Sequence, residues 1–99
     1  MAVRVLIKRH LKKGMSHDVL ALLNKLRSGA MNRDGYVTGE SLLGIDDPRN
    51  LLVISTWQDM DSWKKWREDP VRKESEGDLE QYLEQPTEYE AYALGMYHH

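Results

Sequence analysis

The chain has no cysteine and no phenylalanine, and only three prolines in 99 residues. Without cysteine there is no disulfide, no thiolate nucleophile and no Cys-based zinc site. That composition suits a reducing compartment, and a cytoplasmic location is expected. No apolar run is long enough to cross a bilayer, so no membrane association is expected. The opening segment MAVRVLIKRH alternates apolar and charged residues and does not read as a signal peptide. Gly-rich phosphate loops, nucleophile elbows and nucleotide fingerprints are also missing. No repeat, low-complexity run or linker divides the chain, so residues 1–99 are read as one domain with a small core. His98 and His99 are either native residues or the start of a purification tag.

What is present is a chain with 30% charged residues and a net charge of −2. The charge is divided unevenly. Residues 1–33 carry eight Lys/Arg and one acid (+7), and residues 34–99 carry six Lys/Arg and fifteen acids (−9). The basic residues alternate with apolar ones, as in an ordinary strand. We therefore expect basic and acidic strands side by side, where opposite charges help modestly, and no nucleic-acid partner.

Val3, Val5 and Ile7 alternate with Arg4 and Lys8, which predicts a strand over about 2–10. Ser16 is placed to cap a helix with Asp18 in its first turn. Val19, Leu22, Leu23 and Leu26 form its apolar stripe, and Gly29 marks its end near Ser28–Asn32. Asp34-Gly35 is a turn, and Tyr36–Ile45 is a second strand interrupted by Gly39 and Gly44, which mark a bulge, a bend or a close backbone approach. Residues 46–50 form a hairpin loop before a third strand, Leu51–Trp57. Asp59 or Asp61 caps a helix bearing Met60, Trp63 and Trp66. A further helix runs from Pro70 to Leu83, and Tyr89–Tyr97 alternates as a fourth strand.

The order β-α-β-β-α-β, with the second helical region split, predicts a ferredoxin-like α+β fold with a four-stranded antiparallel sheet and helices on one face. The third strand is apolar on both sides. Leu51, Val53 and Trp57 face one way, and Leu52 and Ile54 the other. With Leu6 and part of the last strand, Leu52 and Ile54 leave an apolar face that a second copy of the chain could cover.

Gly35-Tyr36, Gly39, the strand closing on Trp57 and the segment DMDSWKKWREDPVRK together resemble the antibiotic biosynthesis monooxygenase domain family. The family pattern is a Gly-aromatic turn, a strand ending in Trp, an acidic cap, and an aromatic helix running into a Trp followed by an acidic or seryl residue and proline. The resemblance implies a homodimer whose sheets pack face to face, the dimeric α+β barrel, with a pocket in each subunit between sheet and helices. It also implies cofactor-free oxidation of quinols and aromatic phenols, or oxidative haem degradation.

Carried over residue by residue, the resemblance makes Trp66 a pocket wall, a role compatible with anchoring its helix. Trp63 and Trp57 read first as packing. Haem-degrading relatives pair that Trp with an Asn and a His at places held here by Ile7 and Glu76, and neither can do the same work. Ser62 stands where some aromatic-oxidising relatives have an Asn. The expected substrate-binding set is Trp66, Trp63, Ile7, Ser62 and Tyr89. His10 is a weak candidate base for a phenolic proton, and His17 a weaker one. Neither has a partner at ligand spacing, so no metal site is expected. Tyr36, Tyr92, Glu40 and Glu90 read first as strand residues. The leading expectation is a small cofactor-independent monooxygenase acting on an aromatic or quinol-type molecule. The alternative is a non-catalytic ligand-binding or regulatory dimer, with haem binding third.

Overall fold

The computed structural model describes residues 1–95. Four strands, β1 (Val3–His10), β2 (Tyr36–Leu43), β3 (Asn50–Trp57) and β4 (Glu88–Ala93), form one antiparallel sheet in the order β2-β3-β1-β4. Helix α1 (His17–Met31) connects β1 to β2. Helices α2 (Met60–Arg67) and α3 (Pro70–Leu79) lie between β3 and β4, followed by a 3-10 turn at Glu80–Tyr82. This is the ferredoxin-like α+β arrangement, with its second helical region divided at Asp69-Pro70.

Each helix begins where a short polar side chain replaces a missing backbone acceptor. Ser16 Oγ accepts from the Val19 amide, Asp59 from the Ser62 amide and Asp69 from the Val71 amide. Pro70 follows Asp69 at the first helical position, where its missing N–H costs nothing. Of the two caps considered for α2, Asp59 does the work and Asp61 lies in the first turn.

Alternation along β1 sorts the sheet into two faces. Val3, Val5, Ile7 and Leu11 point under the helices and meet Val19, Leu26, Trp63, Trp66 and Leu79 in the core. The opposite face carries Leu6, Leu52 and Ile54, all half-buried, and the exposed Leu42 and Tyr92. The lopsided charge also finds its place there. Basic β1 lies beside acidic β4, with Lys8 Nζ 2.9 Å from Glu90.

Helix α1 ends at Met31 with Asn32 as its C-cap, inside the expected 28–32 span, but Gly29 lies within the helix and does not end it. A Cβ at Gly29 would lie 2.5 Å from the rim of the Trp66 indole, so this glycine exists to admit a ring. Strand β2 stops at Leu43 instead of Ile45, because the Gly44 amide turns to the Asn50 carbonyl to close the hairpin. The helix expected to reach Leu83 ends at Leu79 and tightens into the 3-10 turn. Strand β4 starts one residue early, at Glu88, and ends at Ala93, with Leu94 and Gly95 in a bend instead of the expected strand; Met96 and Tyr97 lie outside the described residues, as do His98 and His99.

Gly29→Ala tests the ring-admitting role. Alanine favours a helix interior by about 1 kcal/mol over glycine. The clash with a buried indole opposes this, and overpacking costs about 1–3 kcal/mol. The expected net result is a lower urea midpoint for the variant. A higher midpoint would show that Trp66 has room to move.

Candidate functional site

Between the helix-facing side of the sheet and the three helices lies a cavity of about 70 Å³. That is several times the roughly 10–15 Å³ one water needs. Its walls follow from the strand and helix periodicities. Ile7, Val53 and Trp57 come from the central strands, Leu23, Leu26 and Ala30 from α1, and Trp63 and Trp66 from α2. Tyr36, Gly39 and Ser41 supply the β2 side.

The β2 side depends on an irregularity in pairing. The register between β2 and β3 shifts between Tyr36 and Thr38, which leaves Val37 as an extra residue. Tyr36 and Gly39 therefore both face the helices. The Tyr36 hydroxyl lies where a Cβ on Gly39 would be, so the tyrosine crosses its own strand at the one residue with no side chain. Its ring meets Trp57 edge-on at 5.4 Å, and the aromatic run continues through Trp63 to Tyr89 at 6.0 Å per step.

Trp66 is both anchor and wall. It is 4% exposed, lies against Gly29, and carries the Arg33 guanidinium 4.8 Å above its ring. Arg33 is held in turn by Asp69, 3.2 Å away. Trp57 is fully buried, with its indole N–H donating to Ser55 Oγ at 3.1 Å.

One end of the cavity is charged. Arg9 forms a two-bond fork onto Glu76, Nη1 to Oε1 at 2.7 Å and Nη2 to Oε2 at 2.8 Å. Arg9 Nη1 also donates to Thr87 Oγ1 at 3.3 Å. Arg72, one helical turn before Glu76, lies 3.0 Å from Oε2 and donates to the Tyr89 hydroxyl at 2.5 Å. Arg9 and Arg72 are buried. Burial pushes the Glu76 carboxyl upward, but the Arg9 hydrogen bonds and the charges of Arg9 and Arg72 outweigh it and hold it below its usual value.

The structure brings Ile7, Trp63 and Trp66 to this cavity. It puts the other expected site residues elsewhere. Ser62 donates its hydroxyl to Asp59 Oδ1 at 2.8 Å, in a cap packed against Gly35, whose positive φ no other residue would adopt easily. Tyr89 touches the cavity's walls through Trp63 and Arg72 without lining it. His10 is on the far face of the sheet, between Asn50 Oδ1 at 3.0 Å and Glu88 Oε2 at 3.1 Å. His17 is the first residue of α1 and lines no part of the cavity. Among the described residues no group of three or more His, Asp or Glu could hold a metal ion, and no helix is long and apolar enough to cross a membrane.

Arg9 and Arg72 were the residues missed. A signal was available. Positions 3, 5, 7, 9 and 11 share one face of β1, and the alternation that buries Val3, Val5, Ile7 and Leu11 must bury Arg9 with them. A lone arginine on an inward stripe requires a buried acid, and Glu76 is that acid.

A family model described as antibiotic biosynthesis monooxygenase matches residues 2–77. Among solved structures, the chain is similar to a conserved protein from Methanosarcina mazei Go1, with 22% identity, 93% of this chain and 91% of that chain covered, and a TM-score of 0.85. It is similar to SnoaB, a cofactor-independent oxygenase from Streptomyces nogalater, at 14% identity over 93% of this chain and 91% of that chain, TM-score 0.82. It is also similar to Rv0793 from Mycobacterium tuberculosis, at 15% identity over 94% of each chain, TM-score 0.78. At such identities the likeness is one of fold. A comparison with curated proteins gives no match.

Proposed function

The chain belongs to the antibiotic biosynthesis monooxygenase family, and on that premise we propose that it is a cofactor-independent monooxygenase for a small aromatic or quinol-type substrate. The observation that carries this reading is the cavity itself, walled by Trp63, Trp66, Tyr36 and aliphatic side chains, and closed over by α1 and α2. A pocket with flat aromatic walls favours a planar ring, and a ligand that displaces water from it strengthens the electrostatic contacts made inside. In the reaction class proposed, the substrate loses a proton and its anion reacts with dioxygen. One oxygen atom enters the substrate as a carbonyl, the other leaves as water, and dioxygen is the only oxidant. The protein's contribution is orientation and exclusion of bulk water.

The test is oxygen uptake by the purified protein with a panel of quinols and anthrone-like phenols. Consumption that saturates with substrate, with product gaining one oxygen atom, is the expected result. A panel that binds but consumes no oxygen would instead support a non-catalytic binder. One observation favours that second reading: among the described residues no imidazole lines the cavity, and the Ser62 hydroxyl is committed to Asp59. A haem reading has less support, since the Glu76 carboxylate is occupied by two arginines and Ile7 offers no polar atom.

We also propose that the protein works as a homodimer in the cytoplasm. The absence of cysteine supports the location. The uncovered sheet face supports the dimer: Leu6, Leu52 and Ile54 form an apolar centre flanked by Glu40, Lys8 and Glu90, the pattern of a self-complementary patch. Ile54→Lys would set two like charges near the middle of that patch. The parent is expected to sediment at twice the chain mass at micromolar concentration, and the variant at the mass of one chain. A parent that sediments as a single chain would overturn the dimer.

A further inference from the structure

The charged end of the cavity contains a donor that the protein leaves unused. Arg9 is 3% exposed and lines the cavity. A guanidinium has five N–H groups in a fixed plane. Here the end-on pair and one more hydrogen go to Glu76 and Thr87. Arg9 Nε is buried and has no partner among the described residues. Its N–H shares one edge of the guanidinium with the second hydrogen of Nη2, and that edge meets no acceptor among the described residues. Leaving a buried donor without an acceptor costs about 1–3 kcal/mol, more when the group is charged. A folded protein carries such a cost where something else supplies the acceptor.

The charge balance points the same way. Arg9 and Arg72 with Glu76 sum to +1 in a buried cluster. The remaining charged residues at the cavity, Arg27 and Glu40, are exposed and cancel. The cavity thus combines aromatic walls with one surplus positive charge and one free guanidinium edge.

We propose that Arg9 is the binding residue for an acidic oxygen on the ligand, so that the site selects aromatic molecules bearing a phenolate or carboxylate over their neutral counterparts. This rests on the aromatic-pocket reading above and deepens it. On this assignment Glu76 holds the guanidinium by its end, and the ligand oxygen takes the unpartnered Nε edge. For a phenol, the same contact stabilises the phenolate, so the proton can pass to solvent without a histidine.

The test uses one-ring probes in matched pairs: benzoate against benzamide, and 4-nitrophenol against 4-nitroanisole. Binding is followed by quenching of tryptophan fluorescence. In the parent protein each acidic probe is expected to bind about tenfold or more tightly than its neutral partner, the worth of a charge-assisted hydrogen bond. Bound 4-nitrophenol should show its phenolate absorbance band at a pH where the free dye is mainly protonated. A carboxylate preference without a phenolate one would assign the site to aromatic acids, and the reverse to phenols; either supports the proposal. Arg9→Met leaves Glu76 held by Arg72 at 3.0 Å and brings the net charge of the cluster to zero. Its expected behaviour is loss of the acidic preference with neutral probes still bound. Arg9→Lys keeps the charge without the planar fork and is the second variant should Arg9→Met not fold; it is expected to weaken the acidic preference. Equal binding of all probes by the parent would overturn the role of Arg9 and leave the aromatic pocket standing. Binding of none would overturn the pocket reading as well. An acidic preference that survives undiminished in Arg9→Met would also overturn the role of Arg9.

Discussion

Glu76→Ala is expected to destabilise the protein by about 3–5 kcal/mol, because it leaves two buried arginines facing each other with no carboxylate between them. For a domain of this size each kcal/mol lost lowers the melting midpoint by about 4–8 °C, so the drop should be on the order of 15 °C or more. The Arg9→Met, Glu76→Met double variant should fall between the parent and Glu76→Ala, since one buried pair is replaced by apolar side chains while Arg72 keeps only the Arg67 carbonyl and the Tyr89 hydroxyl as partners. Urea melts of the two proteins measure this directly. A Glu76→Ala midpoint within a few degrees of the parent would mean that water reaches the cluster.

The same carboxyl sets a pH signature. Its value in the folded protein lies below the ordinary carboxylate value, so the folded state holds the ionised form more tightly than the unfolded chain does. Its contribution is therefore complete above about 4.3, the usual glutamate value, and is lost as the pH falls through the lower folded value. The parent should lose stability on that acid limb. The double variant should show a shallower limb over the same range.

Trp66→Ala carries the other large effect. Truncating a buried tryptophan costs about 3–5 kcal/mol. Here it would also free Arg33 from the ring above which it lies and open the cavity toward α1. If the proposed chemistry is right, oxygen uptake should fall to background. Trp66→Phe keeps a flat wall at smaller volume and separates the two roles. It should remain folded, with a weakened affinity for the aromatic substrate and a measurable residual rate. Unchanged turnover in a folded Trp66→Phe or Trp66→Ala protein would remove Trp66 from the site and leave it as an anchor for α2.

Much of the fold was legible because its signals are local. Alternation marked β1 and β3, Ser16 and the Asp59/Asp61 pair marked two helix starts, and β3 read as apolar on both faces of the sheet. Gly29 was misjudged for a physical reason. A glycine near a helix end usually permits the left-handed turn that stops it, and sequence alone cannot show that a tryptophan 37 positions later presses against it. Gly39 was more readable: a strand glycine signals a close approach, and the group that approaches is the Tyr36 hydroxyl.

The site divided along the same line. Trp66 and Ile7 were expected from the family pattern and Trp63 from its place one turn before Trp66, and all three line the cavity. Ser62 could not be judged, because its hydroxyl had two possible uses and the nearer one, the Asp59 cap, won. His10 looked available until the pleat placed it, with Lys8 and Leu6, on the far side of the sheet. The sequence by itself determined the order of elements, the two-faced sheet and the aromatic helix, since each follows from residues a few positions apart. Only the tertiary structure decided which charges meet. Arg9 and Glu76 are 67 positions apart, and their fork, with the free Nε edge beside it, exists only once β1 and α3 are packed together.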